Sequence, residues 1–133
     1  MKITKKTRLL ARVPIAQTSD GTIKVFAATD NGQSERFTYG HPWTLVGSGF
    51  YGGYPEGRFS IEHAYIVFCE GEDARRDFTF VVNEEETVLT LNKRVDVDPI
   101  PEGTYPNAKI EISVSDNVRR EYLDIPVKFI VEA

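Results

Sequence analysis

Residues 109–131, KIEISVSDNVRREYLDIPVKFIV, contain two runs in which apolar and polar residues alternate. The first run ends at Ser115-Asp116-Asn117, residue types that favour turns, and the second spans Tyr122 to Val131. Alternation with a period of two indicates a strand with one buried face. The alternating apolar positions are Ile110, Ile112, Val114, Leu123, Ile125, Val127, Phe129 and Val131. This stretch therefore predicts two strands joined by a turn, and Pro126, which cannot donate to a strand ladder, predicts that the second is an edge or bulged strand.

Similar segments, separated by turn signals, recur along the rest of the chain, and helical periodicity is nearly absent. The predicted strands are Arg8–Ile15, Thr22–Thr29, Glu35–Tyr39, Trp43–Val46, Arg58–Cys69, Asp77–Asn83, Thr87–Val97, a strand around Ile110–Val114, and Tyr122–Val131. About nine strands with frequent turns predict an all-β fold, a single antiparallel β-sandwich of immunoglobulin-like or jelly-roll-like type. A β-barrel is the alternative.

Three segments carry more detailed predictions. In Arg58–Cys69, Phe59, Ile61, His63, Tyr65 and Val67 share one face, and Ala64, Ile66 and Phe68 share the other. The second half of this segment is apolar on both faces, which indicates a central strand. Thr87–Val97 is expected to alternate through Val95 and Val97, and the prolines between Pro99 and Pro106 predict a turn-rich crossover.

The closing segments resemble those of known sandwich modules. Gly103-Thr104-Tyr105, residues 109–117 and residues 125–131 are similar to the last strands of immunoglobulin-like and cadherin-like domains. The chain departs from the immunoglobulin pattern because it has no cysteine pair and no tryptophan in a central strand. The resemblance implies a topology, and a function does not follow from it.

Length and composition fit one globular domain spanning residues 1–133. The chain has 133 residues, of which 41% are hydrophobic and 27% are charged. Its one cysteine, Cys69, cannot form an internal disulfide, and no apolar run approaches the ~20 residues that cross a bilayer. Because the first residues also lack the apolar core of a signal peptide, we expect a soluble protein of the cytoplasm or of a particle assembled there, without a membrane partner.

The charge is distributed unevenly. Lys2, Lys5, Lys6, Arg8 and Arg12 give the first twelve residues five positive charges and no negative ones. The remainder holds 11 of the 16 basic residues and all 20 acidic ones. A net charge of −4 argues against nucleic acid as a partner. The pattern predicts either a solvated tail or a basic N-terminal arm, residues 1–12, that docks on an acidic neighbour through Lys2, Lys5, Lys6 and Arg8.

The segment Trp43 to Gly57 combines glycines with four aromatic residues, Trp43, Phe50, Tyr51 and Tyr54. Residues 47–52 match G-x-G-x-x-G, but the following Gly53-Tyr54-Pro55 cannot start the helix that phosphate binding requires. Exposed rings would anchor a protein partner or stack on a sugar, and buried rings would mean a loop folded onto the core edge. All three interpretations remain open.

Catalytic and metal-binding patterns are weak. His63 and Cys69 are six residues apart on one predicted strand, about 20 Å, which is too far for a dyad. His41 lies in a turn without a recognisable role. Asp96, Asp98 and Asp116 are candidates for a calcium site assembled from separate loops, although solvated carboxylates explain them more simply. We expect no enzyme activity, no catalytic residue and no cofactor or resident metal.

The first hypothesis for function is therefore a structural or assembly module that binds a protein partner, a second copy of itself or a lattice. In general character the chain resembles small virion decoration and tail-associated proteins, which implies a capsid or tail lattice as partner. The second hypothesis is a carbohydrate-binding module that uses the Gly/aromatic loop to bind a glycan.

Overall fold

The computed structural model describes residues 13–132. Within that range all regular structure is β-sheet, which confirms the predicted class. The strands are β1 (Ala16–Gln17), β2 (Lys24–Asp30), β3 (Arg36–Thr38), β4 (Trp43–Ser48), β5 (Ser60–Val67), β6 (Arg75–Val82), β7 (Val88–Lys93), β8 (Gly103–Ser115) and β9 (Arg120–Val131). No helix long and apolar enough to cross a membrane occurs in this part of the chain.

The nine strands belong to one mixed sheet in the order β1-β2-β4-β7-β6-β5-β8-β9-β3. Neighbouring strands are antiparallel except β3 and β9, which pair in parallel through residues 36–38 and 128–130. The sheet is curled, since Trp43 on β4 packs edge-on against Phe37 on β3 and Phe129 on β9 at the far side of the sheet, with ring centroids 5.1 and 5.6 Å apart. The prediction of a purely antiparallel arrangement was therefore wrong at β3.

The concave side of the sheet holds the core. Its largest fully buried side chains include Trp43, Phe37, Phe50, Phe59, Phe129, Ile66, Leu89, Leu91, Ile110 and Ile112. Every second residue of β9 from Leu123 to Phe129 is buried, as the alternation predicted. Burial of such side chains contributes about 1.5–3 kcal/mol each and is the main source of stability.

Strand β5 is central, with β6 on one side and β8 on the other, and its predicted faces are correct after His63 but wrong at Phe59 and Ile61. The register with β8 shifts between Ile61 and His63, so that Glu62 is an extra residue in a bulge. A bulge changes which face the following residues occupy. Phe59 and Ile61 are therefore buried together with Ala64, Ile66 and Phe68, whereas His63 is exposed on the outer side.

Other predicted boundaries also shift. Residues 8–12 of the first predicted strand lie outside the described range, and Val13–Ile15 are not part of a strand. Strand β7 ends at Lys93, and Val95, which was predicted to continue the alternation of this strand, is 96% exposed. The predicted crossover instead includes the start of β8, which accommodates Pro106 through a register shift between Tyr105 and Ala108.

Pro126 lies on β9, which has β8 on one side and the short strand β3 on the other, so the prediction of an edge is wrong for the strand as a whole and holds only around Pro126. Its partner on β8 is Lys109, and the bulge in that ladder lies elsewhere, between Tyr105 and Ala108. Strand β3 pairs only with residues 128–130. Pro126 therefore lies beyond the parallel ladder, where a missing N–H removes no bond of β3.

Candidate binding groove

The structure separates the four aromatic residues that the sequence grouped together. Trp43 and Phe50 are 0% and 1% exposed, so they belong to the core and a partner cannot stack on them. The Trp43 ring packs among aromatic residues, and its Nε1–H donates to the carbonyl of Thr38 at 3.0 Å. For these two residues the interpretation of a loop folded onto the core is correct. Tyr51 is half-buried and Tyr54 is 87% exposed.

Tyr51 lines a surface groove between residues 49–58, which we call the aromatic loop, and residues 83–87, which we call the acidic turn. The groove has a volume of about 380 Å³. Its lining combines the apolar residues Tyr51, Phe80 and Val82 with polar groups of the acidic turn. The groove therefore offers apolar surface with carboxylates at its border.

Two glycines allow the aromatic loop to lie against the start of β2. Gly49 has φ +74°, and a Cβ there would collide with the carbonyl oxygen of Thr22. A Cβ at Gly47 would collide with the carbonyl of Lys24. Glycine is thus required at both positions for close backbone contact and, at Gly49, for the left-handed conformation. Further along, the N–H of Ile61 donates to the carbonyl of Tyr51 at 2.7 Å.

Arg58 connects the aromatic loop to the acidic turn. Its guanidinium lies 4.3 Å from the centre of the Tyr51 ring, and its Nη2 is 2.8 Å from Oε1 of Glu86. The N–H of Phe50 also donates to the carbonyl of Glu86 at 2.9 Å. The cation therefore covers one side of the Tyr51 ring and holds the two walls of the groove together.

The acidic turn is held by Asn83. Its side-chain oxygen accepts the N–H groups of Thr87 and Val88 at 2.8 and 2.9 Å. Glu84 and Glu85 are exposed at the tip, and neither forms an ion pair with any residue between 13 and 132. The aromatic loop and acidic turn together carry four carboxylates and one guanidinium, a net charge of −3. The border of the groove therefore carries negative charge on an ordered backbone.

The predicted basic contacts Lys2, Lys5, Lys6 and Arg8 lie outside the described residues. The structure does describe where this segment joins the sheet. Ile15 donates its N–H to the carbonyl of Val25 at 2.8 Å, and Gln17 pairs with Lys24. On the other side of β2, Lys24 pairs with Ser48, which directly precedes the aromatic loop. The segment therefore joins the sheet two strands away from the groove loop.

Sequence reasoning missed a contact between a buried carboxylate and a histidine. Asp30, 4% exposed, accepts the N–H of Thr38 at 2.7 Å, and its other oxygen is 3.1 Å from Nδ1 of His41. These contacts fasten the end of β2 to β3 and to the turn before β4. The only signal in the sequence was Asp30 at the start of a turn, where Asp commonly binds local backbone.

A second missed residue is Arg76, which is 7% exposed. Its guanidinium donates to the carbonyls of Asp98 and Asp73 at 2.8 and 2.9 Å, and to those of Arg75 and Pro99. Arg76 thereby fastens residues 94–102 to the turn between β5 and β6. Nothing in its alternating neighbourhood distinguished it from an exposed arginine.

Two of the three carboxylates considered for calcium, those of Asp96 and Asp116, have separate partners. Asp96 accepts from Arg94 Nε at 2.9 Å, and Asp116 accepts the N–H groups of Val118 and Arg119 at 2.7 and 2.6 Å. These backbone bonds lower the pKa of Asp116 below its ordinary value. In residues 13–132, no three His, Cys, Asp or Glu side chains are grouped as a metal would need.

Comparison with models of known protein families found no match, and comparison with curated proteins found none either.

Proposed function

We propose that this chain is a non-enzymatic assembly module that binds a protein partner through the groove and the adjacent Tyr54. The observation that carries the proposal is the exposure of Tyr54, at 87%, beside a groove whose own walls are fixed by hydrogen bonds. Exposed tyrosines anchor protein interfaces because they bury a large area at a small entropic cost. An ordered groove also loses little entropy when it is occupied.

The charge of the groove supports a basic partner. Glu84 and Glu85 are exposed and without ion-pair partners in the described range, so a bound segment carrying lysine or arginine would gain ion pairs there. Complementary charge favours the correct partner and increases the rate of association. The proposed partner is therefore a basic segment with some apolar side chains.

A glycan fits the same surface less well. Carbohydrate binding through stacking needs free aromatic faces, and two of the four rings are buried. The Arg58 guanidinium covers one face of Tyr51. Tyr54 is then the one ring of the predicted set that is largely exposed. A role in a virion, as a decoration or tail-associated protein, is a narrower proposal supported by general resemblance alone.

The test is site-specific photo-crosslinking with a benzophenone amino acid at Tyr54, in cells that naturally make the protein. The control places the same group at Val95, which is 96% exposed in the loop after β7. We expect a discrete protein adduct from position 54 and none from position 95, with a weaker adduct after Glu84→Gln and Glu85→Gln. Equal labelling from both positions, or no protein adduct, would overturn the proposal. Binding of the wild type to a glycan array that is lost in Tyr54→Ala would favour the carbohydrate hypothesis instead.

A further inference from the structure

Residues 1–12 have the chemistry that the groove requires. They contain five basic residues and no acidic one, whereas the aromatic loop and acidic turn have a net charge of −3. The segment also carries Ile3, Leu9 and Leu10, which suit the apolar lining formed by Phe80 and Val82. Charge and apolar character are thus complementary between two parts of the same chain.

The direction of the chain at β1 decides which copy of the groove this segment faces. Gln17 pairs with Lys24 and Ala16 pairs with Val25, so the chain before Ala16 heads along β2 towards Asp30. The groove lies at the opposite end of β2, because Lys24 pairs with Ser48 and Gly49 lies against Thr22. The described residues before β1, 13–15, therefore lead away from the groove of their own chain.

The length of the segment is sufficient to reach a neighbour. Twelve residues in an extended conformation span up to about 40 Å. Two copies related by a two-fold axis can each extend this segment into the groove of the other, which closes the assembly as a pair. A chain that returned to its own groove would first need to reverse direction beside β2.

We propose that residues 1–12 of one copy dock in the groove of a second copy, with Lys5 and Lys6 facing Glu84 and Glu85. The inference rests on the proposed function, since it names the partner of the same groove. Exchange of a segment between identical chains is a common route to dimers. Because the contacts are exposed ion pairs, the association weakens as salt rises above about 0.1 M.

The test is a charge swap in the full chain, read as native mass by light scattering and sedimentation. The arm variant is Lys5→Glu with Lys6→Glu, and the groove variant is Glu84→Lys with Glu85→Lys. We expect the wild type to form dimers and each variant alone to dissociate about tenfold more readily, or more. The variant carrying all four changes should dimerise again. Circular dichroism checks that each variant keeps its β-sheet signal.

Mixing the arm variant with the groove variant separates exchange between copies from docking within one chain. In the mixture each altered arm meets a groove of opposite charge, so an equimolar mixture should form mixed dimers at concentrations where each component alone is mostly monomeric. The control is Glu70→Lys with Glu72→Lys in the exposed β5–β6 turn, which makes the same charge change away from the groove and should leave dimerisation intact.

A monomeric wild type, or a mixture that stays monomeric, would overturn the inference. If the wild type is monomeric but crosslinks to another protein from position 54, the proposed function stands and its partner is a different chain. If it is monomeric and gives no adduct from position 54, both proposals fail.

Discussion

The two ends of the sheet each depend on an arginine, and the two arginines act in different ways. At the end formed by residues 69–74 and 94–102, Arg76 is 7% exposed and donates to four backbone carbonyls. At the groove end, the Arg58 side chain is 39% exposed and is shared between the Tyr51 ring and the Glu86 carboxylate. The first end uses its cation for internal stability. The second keeps Tyr54, Glu84 and Glu85 available for a partner.

Phe50→Ala tests whether any ring of the aromatic loop belongs to the core. Because Phe50 is 1% exposed, the change should lower the free energy of unfolding by about 3–5 kcal/mol. Urea denaturation followed by tryptophan fluorescence measures this, since Trp43 is fully buried in the native state. A loss below about 1 kcal/mol would place Phe50 among the adaptable parts of the groove.

Arg76→Ala tests the other end directly. The substitution leaves the carbonyls of Asp98 and Asp73 without their donor, so we expect a loss of about 2–4 kcal/mol in the free energy of unfolding. The same denaturation experiment measures it. We expect Arg76→Ala to lower the free energy of unfolding more than Arg58→Ala does. Equal losses in the two variants would show that both arginines contribute alike to stability.

Arg58→Ala should cost at most about 1 kcal/mol of stability, because a half-exposed ion pair contributes little. Its larger effect is expected on binding, since the walls of the groove lose the link between Tyr51 and Glu86. Dimer dissociation measured by sedimentation reports this effect. If Arg58→Ala left dimerisation unchanged and greatly lowered the free energy of unfolding, Arg58 would serve the stability of the fold and not binding.

Tyr54→Ala should leave the free energy of unfolding within about 0.5 kcal/mol of the wild type, as is usual for exposed positions. Association should nevertheless weaken, in keeping with its place beside the groove. Thermal unfolding and native mass of the same sample check both statements. A clear loss of stability would show that Tyr54 packs on the protein itself.

The smallest effect concerns Asp116, in the turn between β8 and β9 at the groove end. Its pKa is lowered from 3.8 by the backbone N–H groups of Arg119 and Val118, so the ionised form stabilises the fold. That contribution is present above pH 3.8 and is lost as the pH falls through the lowered value. The wild type should melt slightly above Asp116→Ala at pH 7, and the gap should close in acid. A difference in melting temperature that did not change with pH would show that ionisation of Asp116 is not the cause.

The sequence predicted where the strands lie better than it predicted how they pair and which faces they bury. Alternation located β9 and its buried face because that pattern depends only on neighbouring residues. Phe59 and Ile61 were assigned to the wrong face because the bulge at Glu62 depends on the pairing of β5 with β8, which lies some fifty residues further along. Similarly, the outward position of Val95 follows from the end of β7 at Lys93 and from the Arg94–Asp96 contact.

The candidate site was predicted in part. Glycines with aromatic residues indicated a loop near the surface, and the groove lies there. Composition could not show which rings would be buried, because Phe50 and Tyr51 are adjacent and differ only in the side of the loop they occupy. The contribution of the acidic turn also depends on strand pairing, since the pairing of β4 with β7 brings the turn beside the loop, where the N–H of Phe50 donates to the carbonyl of Glu86.

The parallel pairing of β3 with β9 has a consequence for how the chain folds during synthesis. Residues 36–38 must wait for residues 128–130 before their ladder can form, a separation of more than ninety positions. Trp43 also needs Phe129 to complete its packing. Contacts so distant in sequence slow folding and delay burial of the early strands. The ribosome therefore has to deliver the chain as far as residue 130 before the sheet can close, and the nascent strands remain exposed to chaperones until then.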